Sequence, residues 1–302
     1  MPRPAALRPG DGIAVVAPAS PFDKERFERG VRALQDIGLE PRFGKGVFER
    51  HQGYLAGDDK RRLEELRHAL QDSSIKALVL ARGGYGLQRI VSEVPADFVE
   101  KSAKPVVGYS DATVLHELWW RAKMPSVHGP MCTQLADDAT ALARLRALLY
   151  GAVPEPLRWT ARTVRPGRAE GPLRGGNLAV LASLCGTPLQ PSFREAIVLL
   201  EDLNEPPYRL DRLCTQLLLS GAFEGAVGFV VGDLAAEGEE NDGRDEAVGE
   251  RLATLGVPVV LGGPFGHAGR NQPVAFGIPH TLDADEGALV QIDPMLEKRG
   301  RV

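Results

Sequence analysis

The chain has 302 residues, enough for one large domain or two medium ones with a sizeable core. Hydrophobic residues make up 43% of it and charged residues 25%, which is the balance of an ordinary globular protein. The net charge of −4, without a dense block of Lys and Arg, argues against nucleic-acid binding, and no apolar run approaches the length of a membrane span.

The first residues and the cysteines predict the compartment. The opening segment, MPRPAALRPG, lacks the apolar core of a signal peptide. The three cysteines, Cys132, Cys185 and Cys214, are odd in number and far apart, so they predict neither a disulfide framework nor a CxxC metal site. We therefore expect a cytoplasmic protein with neither a membrane nor a nucleic acid as partner.

In the first half of the chain, short apolar runs alternate with amphipathic segments. Buried strands are predicted at 13–17, 75–80 and 105–107. Between the first two strands, two helices are predicted from apolar residues at helical spacing: Phe27, Val31, Leu34 and Ile37 in the first, and Leu63, Leu66 and Leu70 in the second. Apolar, β-branched runs separated by helices are typical of a parallel sheet covered on both faces, and hence of an α/β fold.

The helical pattern then lapses over residues 151–170, which are rich in Pro, Arg, Gly and Thr. This composition predicts a linker between a first domain at 1–150 and a second at 171–302, although part of it is compatible with an edge strand. In the second domain we predict helices at 178–184 and 210–218, and strands at 196–200, 227–231, 257–261, 274–278 and 288–292.

The most informative segment surrounds Ser110. An apolar strand ends at Gly108, and a helical pattern begins directly after Asp111. A serine in such a sharp turn has an exposed hydroxyl and neighbouring N–H groups that point outward, as an acyl-transfer nucleophile requires. The alternative is that Ser110 or Asp111 only caps the helix, since both residue types are preferred there.

Two further polar residues follow predicted strands and supply the partners that a nucleophilic serine needs. Glu201 follows the strand at 196–200, and His267 lies in a loop after the strand at 257–261. An imidazole accepts the hydroxyl proton and a carboxylate fixes its tautomer. Alternatively, Glu201 starts a helix or faces solvent, His267 is an exposed loop residue, and His128 is the base.

A glycine-rich loop, RGGYG at 82–86, follows the strand at 75–80 and would let its backbone approach a ligand closely. It matches neither GxGxxG nor GxxxxGK[ST], so the pattern disfavours nucleotide binding. A plain turn is the other interpretation.

Together, these segments resemble the LD-carboxypeptidases of the muropeptidase A type, a serine peptidase family. The resemblance covers nearly the whole chain and is carried by LRPGD (7–11), APAS (17–20), ARGGYG (81–86), GYSDAT (108–113), HGP (128–130), GGNL (175–178), LED (200–202), EPPYRLDR (205–212) and GH (266–267).

This resemblance implies a Rossmann-like N-terminal domain, a smaller mixed α/β C-terminal domain and a homodimer. It implies a triad of Ser110, Glu201 and His267, with the N–H groups of Asp111 and Gly84 as oxyanion hole. The implied substrate is a murein tetrapeptide that loses its terminal D-amino acid. The resemblance also implies an active site between the domains.

Recognition of the substrate is less defined. Arg82, Arg174 and Asn177 are candidate binding residues, because a guanidinium can bind a terminal carboxylate through two hydrogen bonds; alternatively both arginines face solvent. Three other functions stay open: cleavage of a peptide-nucleotide antibiotic for self-immunity, non-catalytic peptide or nucleotide binding, and a cysteine as nucleophile.

No histidine pair has the spacing of a zinc protease, so we expect no metal and no cofactor. Peptidase activity should therefore survive exhaustive EDTA treatment, whereas a zinc peptidase treated in parallel should lose its activity. Loss on chelation and recovery with zinc would contradict a serine mechanism.

Overall fold

The computed structural model describes residues 3–235, 242–268 and 270–298. The chain divides into two compact units. The first comprises Met1–Ala152, Pro273–Ala275 and Pro294–Val302, and the second comprises Val153–Gln272 and Phe276–Asp293. Within the described ranges, each helix is too short or too polar to cross a membrane.

The described strands are, in chain order, β1 (Gly12–Val16), β2 (Glu40–Arg42), β3 (Ile75–Leu80), β4 (Val106–Gly108), β5 (Ser126–His128), β6 (Leu157–Arg158), β7 (Arg162–Arg165), β8 (Arg168–Asn177), β9 (Ile197–Glu201), β10 (Gly228–Val231), β11 (Val259–Leu261), β12 (Val274–Phe276), β13 (Pro279–Asp283) and β14 (Ala288–Gln291). The described α-helices are α1 (Lys24–Asp36), α2 (Asp59–Gln71), α3 (Leu87–Ile90), α4 (Ala96–Ser102), α5 (Thr113–Arg121), α6 (Ala139–Leu149), α7 (Leu178–Ser183), α8 (Pro207–Leu219) and α9 (Arg244–Ala253).

The first unit is built on a sheet with strand order β2-β1-β3-β4-β5-β12. The neighbouring pairs from β2 through β5 are parallel, and β1, β3, β4 and β5 are almost entirely buried because helices cover an apolar, β-branched sheet. The chain runs from β1 to β2 on one side and returns to β3 on the other. Ligands of open parallel sheets bind outside the carboxyl ends of the strands at such a reversal.

The second unit contains a mixed sheet of order β6-β14-β13-β8-β9-β10-β11-β7. Its centre, from β8 to β11, is parallel, and the strands on either side pair antiparallel. The helices α7, α8 and α9 pack with β9, β10 and β11 in one hydrophobic core that includes Leu178, Leu217, Phe229 and Leu252. Glu201 is the last residue of β9, at the carboxyl end of this parallel centre.

The predicted α/β architecture is therefore observed in both units. The segment at 151–170, predicted as a linker, contains β6, β7 and the start of β8. The strands β6 and β7 are the two edges of the sheet, and their residues are exposed or partly exposed. Charged residues on edge strands protect a sheet from aggregation. Such strands have no apolar pattern from which they could be predicted. The chain also returns to the first unit at 273–275 and 294–298, so the units are not consecutive segments.

The packing of α1 depends on a glycine. A Cβ on Gly30 would lie 1.7 Å from the carbonyl oxygen of Cys132, so only glycine allows this close approach. Gly30→Ala is expected to reduce the free energy of unfolding by about 1–3 kcal/mol, because the helix must move away from the loop at 132.

Gly44→Ala is the matched control, since a Cβ there would meet no atom within 4 Å and the backbone φ is −82°. Urea unfolding followed by circular dichroism compares the two variants. Equal stability of both would show that the α1 contact adapts freely and would contradict this description.

Candidate active site

Ser110 occupies a strained turn between a strand and a helix. Tyr109 is extended after β4, Ser110 has a φ of +61°, and a single turn of 3₁₀-helix then leads into α5. A non-glycine residue in this region costs about 1–3 kcal/mol and persists only where its surroundings hold it. Ser110 is half-buried, and no side chain caps α5, so neither Ser110 nor Asp111 acts as a helix cap.

The glycine-rich loop packs directly against this serine. A Cβ on Gly83 would lie 3.0 Å from both Cβ and Oγ of Ser110 and 3.4 Å from the backbone nitrogen of Asp111. The loop can approach Ser110 this closely only because residue 83 has no side chain. The loops after β3 and β4 thus meet at the carboxyl edge of the first sheet.

Asp111 ties the same two loops together. Its buried carboxyl accepts a hydrogen bond of 3.0 Å from the N–H of Leu87, at the start of α3. Burial raises the pKa of Asp111 to about 7, although this hydrogen bond and the charge of Arg62 oppose the shift. The side chain therefore holds the end of the glycine loop, while its backbone N–H follows Ser110.

The alternative base, His128, lies inside the first unit. It is fully buried, with its ring centroid 5.8 Å from that of Tyr109 and 6.2 Å from that of His116. The neighbouring His116 pairs with Ser126 Oγ at 2.8 Å and with the carbonyl of Gly108 at 3.0 Å, and burial lowers its pKa to about 4. Both histidines are buried in the first unit, whereas the His267 side chain is partly exposed, which favours His267 over His128 as the candidate base.

In the second unit, His267 and Glu201 form a hydrogen-bonded pair. Nδ1 of His267 lies 2.8 Å from Oε2 of Glu201. Glu201 is fully buried and the His267 side chain is 16% exposed, so neither is an ordinary surface residue. A carboxylate on Nδ1 holds a proton there, so the lone pair is on Nε2, which is the tautomer that a general base requires.

Acidic residues surround this pair and control its protonation. Burial alone would lower the pKa of His267, but the hydrogen bond and charge of Glu201, with smaller contributions from Asp202 and Asp233, raise it above its usual value. Burial and the adjacent Glu201 raise the pKa of Asp202 to about 7. The site therefore favours the imidazolium that forms when the base takes a proton.

Asp233 is a residue of this site that the sequence reasoning missed. Its carboxylate accepts a hydrogen bond of 2.8 Å from the N–H of Ala268, next to His267, and burial raises its pKa to about 6. Its own N–H donates to the carbonyl of Phe265. Asp233 follows β10 as Glu201 ends β9, so its position after a predicted strand was the signal that could have identified it.

The three candidate binding residues differ in their surroundings. Arg82 is exposed, and its guanidinium donates to the carbonyl of Pro21 at 2.6 Å. Arg174 is buried, donates to the carbonyl of Ser192 and lies 4.9 Å from the ring centroid of Phe193. Asn177 caps α7 through Val180 and donates to Asp202 at 3.2 Å. Arg82 is therefore the most accessible of the three.

The cysteines have the surroundings of structural residues. Cys132 and Cys214 are buried, and burial raises the pKa of each thiol to about 12. A thiol must ionise to act as a nucleophile, so this environment disfavours both. Cys185 is partly buried and its thiol contacts Ser220 Oγ at 3.4 Å. Within the described ranges, His, Cys, Asp and Glu side chains form no cluster that could hold a metal ion.

A strained serine beside a glycine loop and a buried histidine–glutamate pair are the components of a serine hydrolase. The family models for the LD-carboxypeptidase N-terminal domain and the LD-carboxypeptidase C-terminal domain match residues 13–129 and 170–282. The chain therefore belongs to the LD-carboxypeptidase family.

Individual relatives agree with this assignment over nearly their whole length. The chain is 31% identical to the murein tetrapeptide carboxypeptidase of Pseudomonas aeruginosa, over 92% of this chain and 95% of the relative. It is 32% identical to a Bacillus subtilis protein named "Probable murein peptide carboxypeptidase", over 95% and 93%. The solved structure of the microcin C7 self-immunity protein MccF has the same fold, with a TM-score of 0.85 at 20% identity over 98% of this chain and all of that one.

The histidine–glutamate contact predicts a measurable shift in titration. Glu201→Gln should lower the pKa of His267, because it removes the charge that opposes the effect of burial. The imidazole resonances of the protein, followed by NMR from acid to alkaline pH and assigned with a His267→Gln variant, provide the measurement.

Glu224→Gln is the control, since Glu224 is exposed in the same unit and pairs with Arg194. It should leave the His267 titration unchanged. A His267 pKa that is equal in the wild type and in Glu201→Gln would contradict the observed pairing.

Proposed function

We propose that this chain is a serine carboxypeptidase that cleaves the amide between an L-centre and the terminal D-amino acid of murein tetrapeptides. The hydrogen bond between His267 and the buried Glu201 is the observation that carries the proposal. The names of the Pseudomonas and Bacillus relatives support the substrate class. We further propose that Ser110, His267 and Glu201 act as one triad.

In the proposed mechanism, Ser110 Oγ attacks the scissile carbonyl carbon while Nε2 of His267 takes the hydroxyl proton. The resulting imidazolium is stabilised by the carboxyl group of Glu201. His267 then returns the proton to the leaving amine, and the D-amino acid departs. Water, deprotonated by His267, attacks the acyl-enzyme and releases the shortened peptide and Ser110.

The N–H groups of Asp111 and Gly84 are the proposed oxyanion hole. They belong to the turn after β4 and to the glycine loop, which pack together around Ser110. The carbonyl of Gly83 accepts from the N–H of Ser20. Because the peptide is trans, the N–H of Gly84 points away from Ser20. Each such donor typically contributes about 10²–10³-fold to kcat.

Arg82 is the best-supported partner for the terminal carboxylate of the substrate. It is exposed, and it immediately precedes Gly83, which contacts Ser110. Its one described hydrogen bond, to the carbonyl of Pro21, leaves other guanidinium N–H groups that can bind a carboxylate. Roles for Arg174 and Asn177 in substrate binding stay predictions.

The proposed setting is peptidoglycan recycling in the cytoplasm. The described free thiols suit a reducing compartment. Assembly as a homodimer also stays a prediction from the family resemblance.

Two alternatives are distinguished by the substrate. One is a peptidase that hydrolyses a peptide-nucleotide, and the other is a protein on the same scaffold that binds peptides without cleaving them. Incubation with a murein tetrapeptide, the corresponding tripeptide and a peptide-nucleotide, with products identified by mass spectrometry, separates these functions. We expect release of the terminal D-amino acid from the tetrapeptide alone. Cleavage of the peptide-nucleotide alone, or of none of the three, would contradict the proposal.

The triad makes a kinetic prediction. Ser110→Ala, His267→Ala and Glu201→Ala should each fold and lose most activity, leaving roughly 10³–10⁴-fold catalysis over the uncatalysed reaction. The losses in kcat should be non-additive when the variants are combined, because the three residues act as a unit.

His128→Ala is the matched test of the alternative base. We expect it to change stability more than turnover, since His128 is fully buried. Near-normal turnover by His267→Ala together with inactivity of a folded His128→Ala would show that the base was wrongly chosen.

A further inference from the structure

Ser20 lies in the APAS segment after β1 and is neither a member of the proposed triad nor one of the two proposed oxyanion donors. The residue is buried and lies in the first unit, in the loop next to the glycine loop. Its backbone N–H and its side-chain hydroxyl both bind that loop. The N–H of Ser20 donates to the carbonyl of Gly83 at 3.2 Å, and its Oγ accepts from the N–H of Tyr85 at 3.1 Å.

These two hydrogen bonds hold the two peptide groups that flank the Cα of Gly84. One fixes the carbonyl before the Gly84 nitrogen, and the other fixes the N–H of the residue that follows Gly84. The fit is close, because a Cβ on Gly84 would lie 2.3 Å from Ser20 Oγ. The direction of the Gly84 N–H is therefore determined from both sides by one serine.

The far end of the loop is held separately. The buried guanidinium of Arg62 donates to the carbonyl of Gly86 at 2.8 Å and to that of Pro18 at 2.5 Å. Asp111 accepts from the N–H of Leu87. Loss of the Ser20 hydroxyl would thus release only the segment around Gly84 and Tyr85, while the rest of the loop and the Ser110 turn keep their supports.

We propose that Ser20 is a positioning residue for the oxyanion hole, whose hydroxyl holds the Gly84 N–H in the direction that stabilises the tetrahedral intermediate. The inference rests on the proposed function. An oxyanion donor acts on the charge that develops in the transition state, so a misdirected donor reduces kcat and leaves ground-state binding almost unchanged.

The test compares Ser20→Ala with the wild type on the murein tetrapeptide. We expect kcat to fall by roughly tenfold or more, short of the ~10²–10³-fold loss for an oxyanion donor removed outright. KM should stay within about twofold, since uniform substrate binding is unaffected. A peptide boronic acid, with boron in place of the scissile carbonyl carbon, should lose affinity by a similar factor, whereas the tripeptide product should bind as before.

Ser102→Ala is the matched control. Ser102 Oγ also makes a single described hydrogen bond in the first unit, to the carbonyl of Val99 at 2.7 Å, but at the end of α4. It should leave kcat, KM and boronate affinity unchanged, and both variants should unfold near the wild-type temperature.

Unchanged kcat in Ser20→Ala, a rise in KM alone, or an equal loss of kcat in Ser102→Ala would overturn the inference while leaving the proposed function standing. A wild-type protein that cleaves no tetrapeptide would overturn both.

Discussion

The hydrogen bond between His267 and the buried carboxylate of Glu201 is the interaction on which the proposed chemistry depends. Burial alone would make the imidazole of His267 lose its proton readily. The adjacent Glu201 reverses that tendency and raises the pKa of the imidazole. The pair is held in place by the carboxyl end of β9 and by Asp233, which anchors the loop of His267 through Ala268. The second unit thus holds the imidazole of His267 in a hydrogen-bonded position.

Both units place polar groups at the carboxyl ends of parallel strands, although their sheets differ in topology. In the first unit, the loops after β1, β3 and β4 carry Ser20, the glycine loop and Ser110, and they are connected through Gly83 and Asp111. In the second, Glu201 ends β9 and Asp233 follows β10. Strands buried on both faces supply rigid supports, so the functional groups lie on short loops whose positions are well determined.

The sequence predicted the parts of the fold that depend on local pattern. Apolar β-branched runs predicted the buried strands β1, β3 and β4. The change from a strand pattern to a helical pattern predicted the sharp turn at Ser110. The segment that contains the edge strands β6 and β7 was predicted to be a linker, part of which is compatible with an edge strand, because exposed, charged strands have no hydrophobic period. The return of the chain end to the first unit, where residue 5 bridges to residue 297, is a long-range pairing without a local signal.

Individual roles were predictable only where a residue type has few alternative uses. In the sequence, Arg62 is one more charged residue on an amphipathic helix. It is nevertheless fully buried, because carbonyl groups from two distant loops accept hydrogen bonds from its guanidinium. The positive φ of Ser110 and the hydrogen bonds of Ser20 also depend on backbone geometry that composition does not encode. The pairing of Glu201 with His267, 66 residues apart in sequence, was expected from chemistry and from family resemblance, not from spacing.

The central proposal is that His267 activates Ser110. Labelling with a fluorophosphonate, followed by proteolysis and mass spectrometry, tests it directly because the adduct reports both the nucleophile and its activation. The account predicts a single adduct on Ser110 in the wild type, formed far more slowly in His267→Ala. An adduct on another residue, or labelling of Ser110 at the wild-type rate without His267, would contradict it.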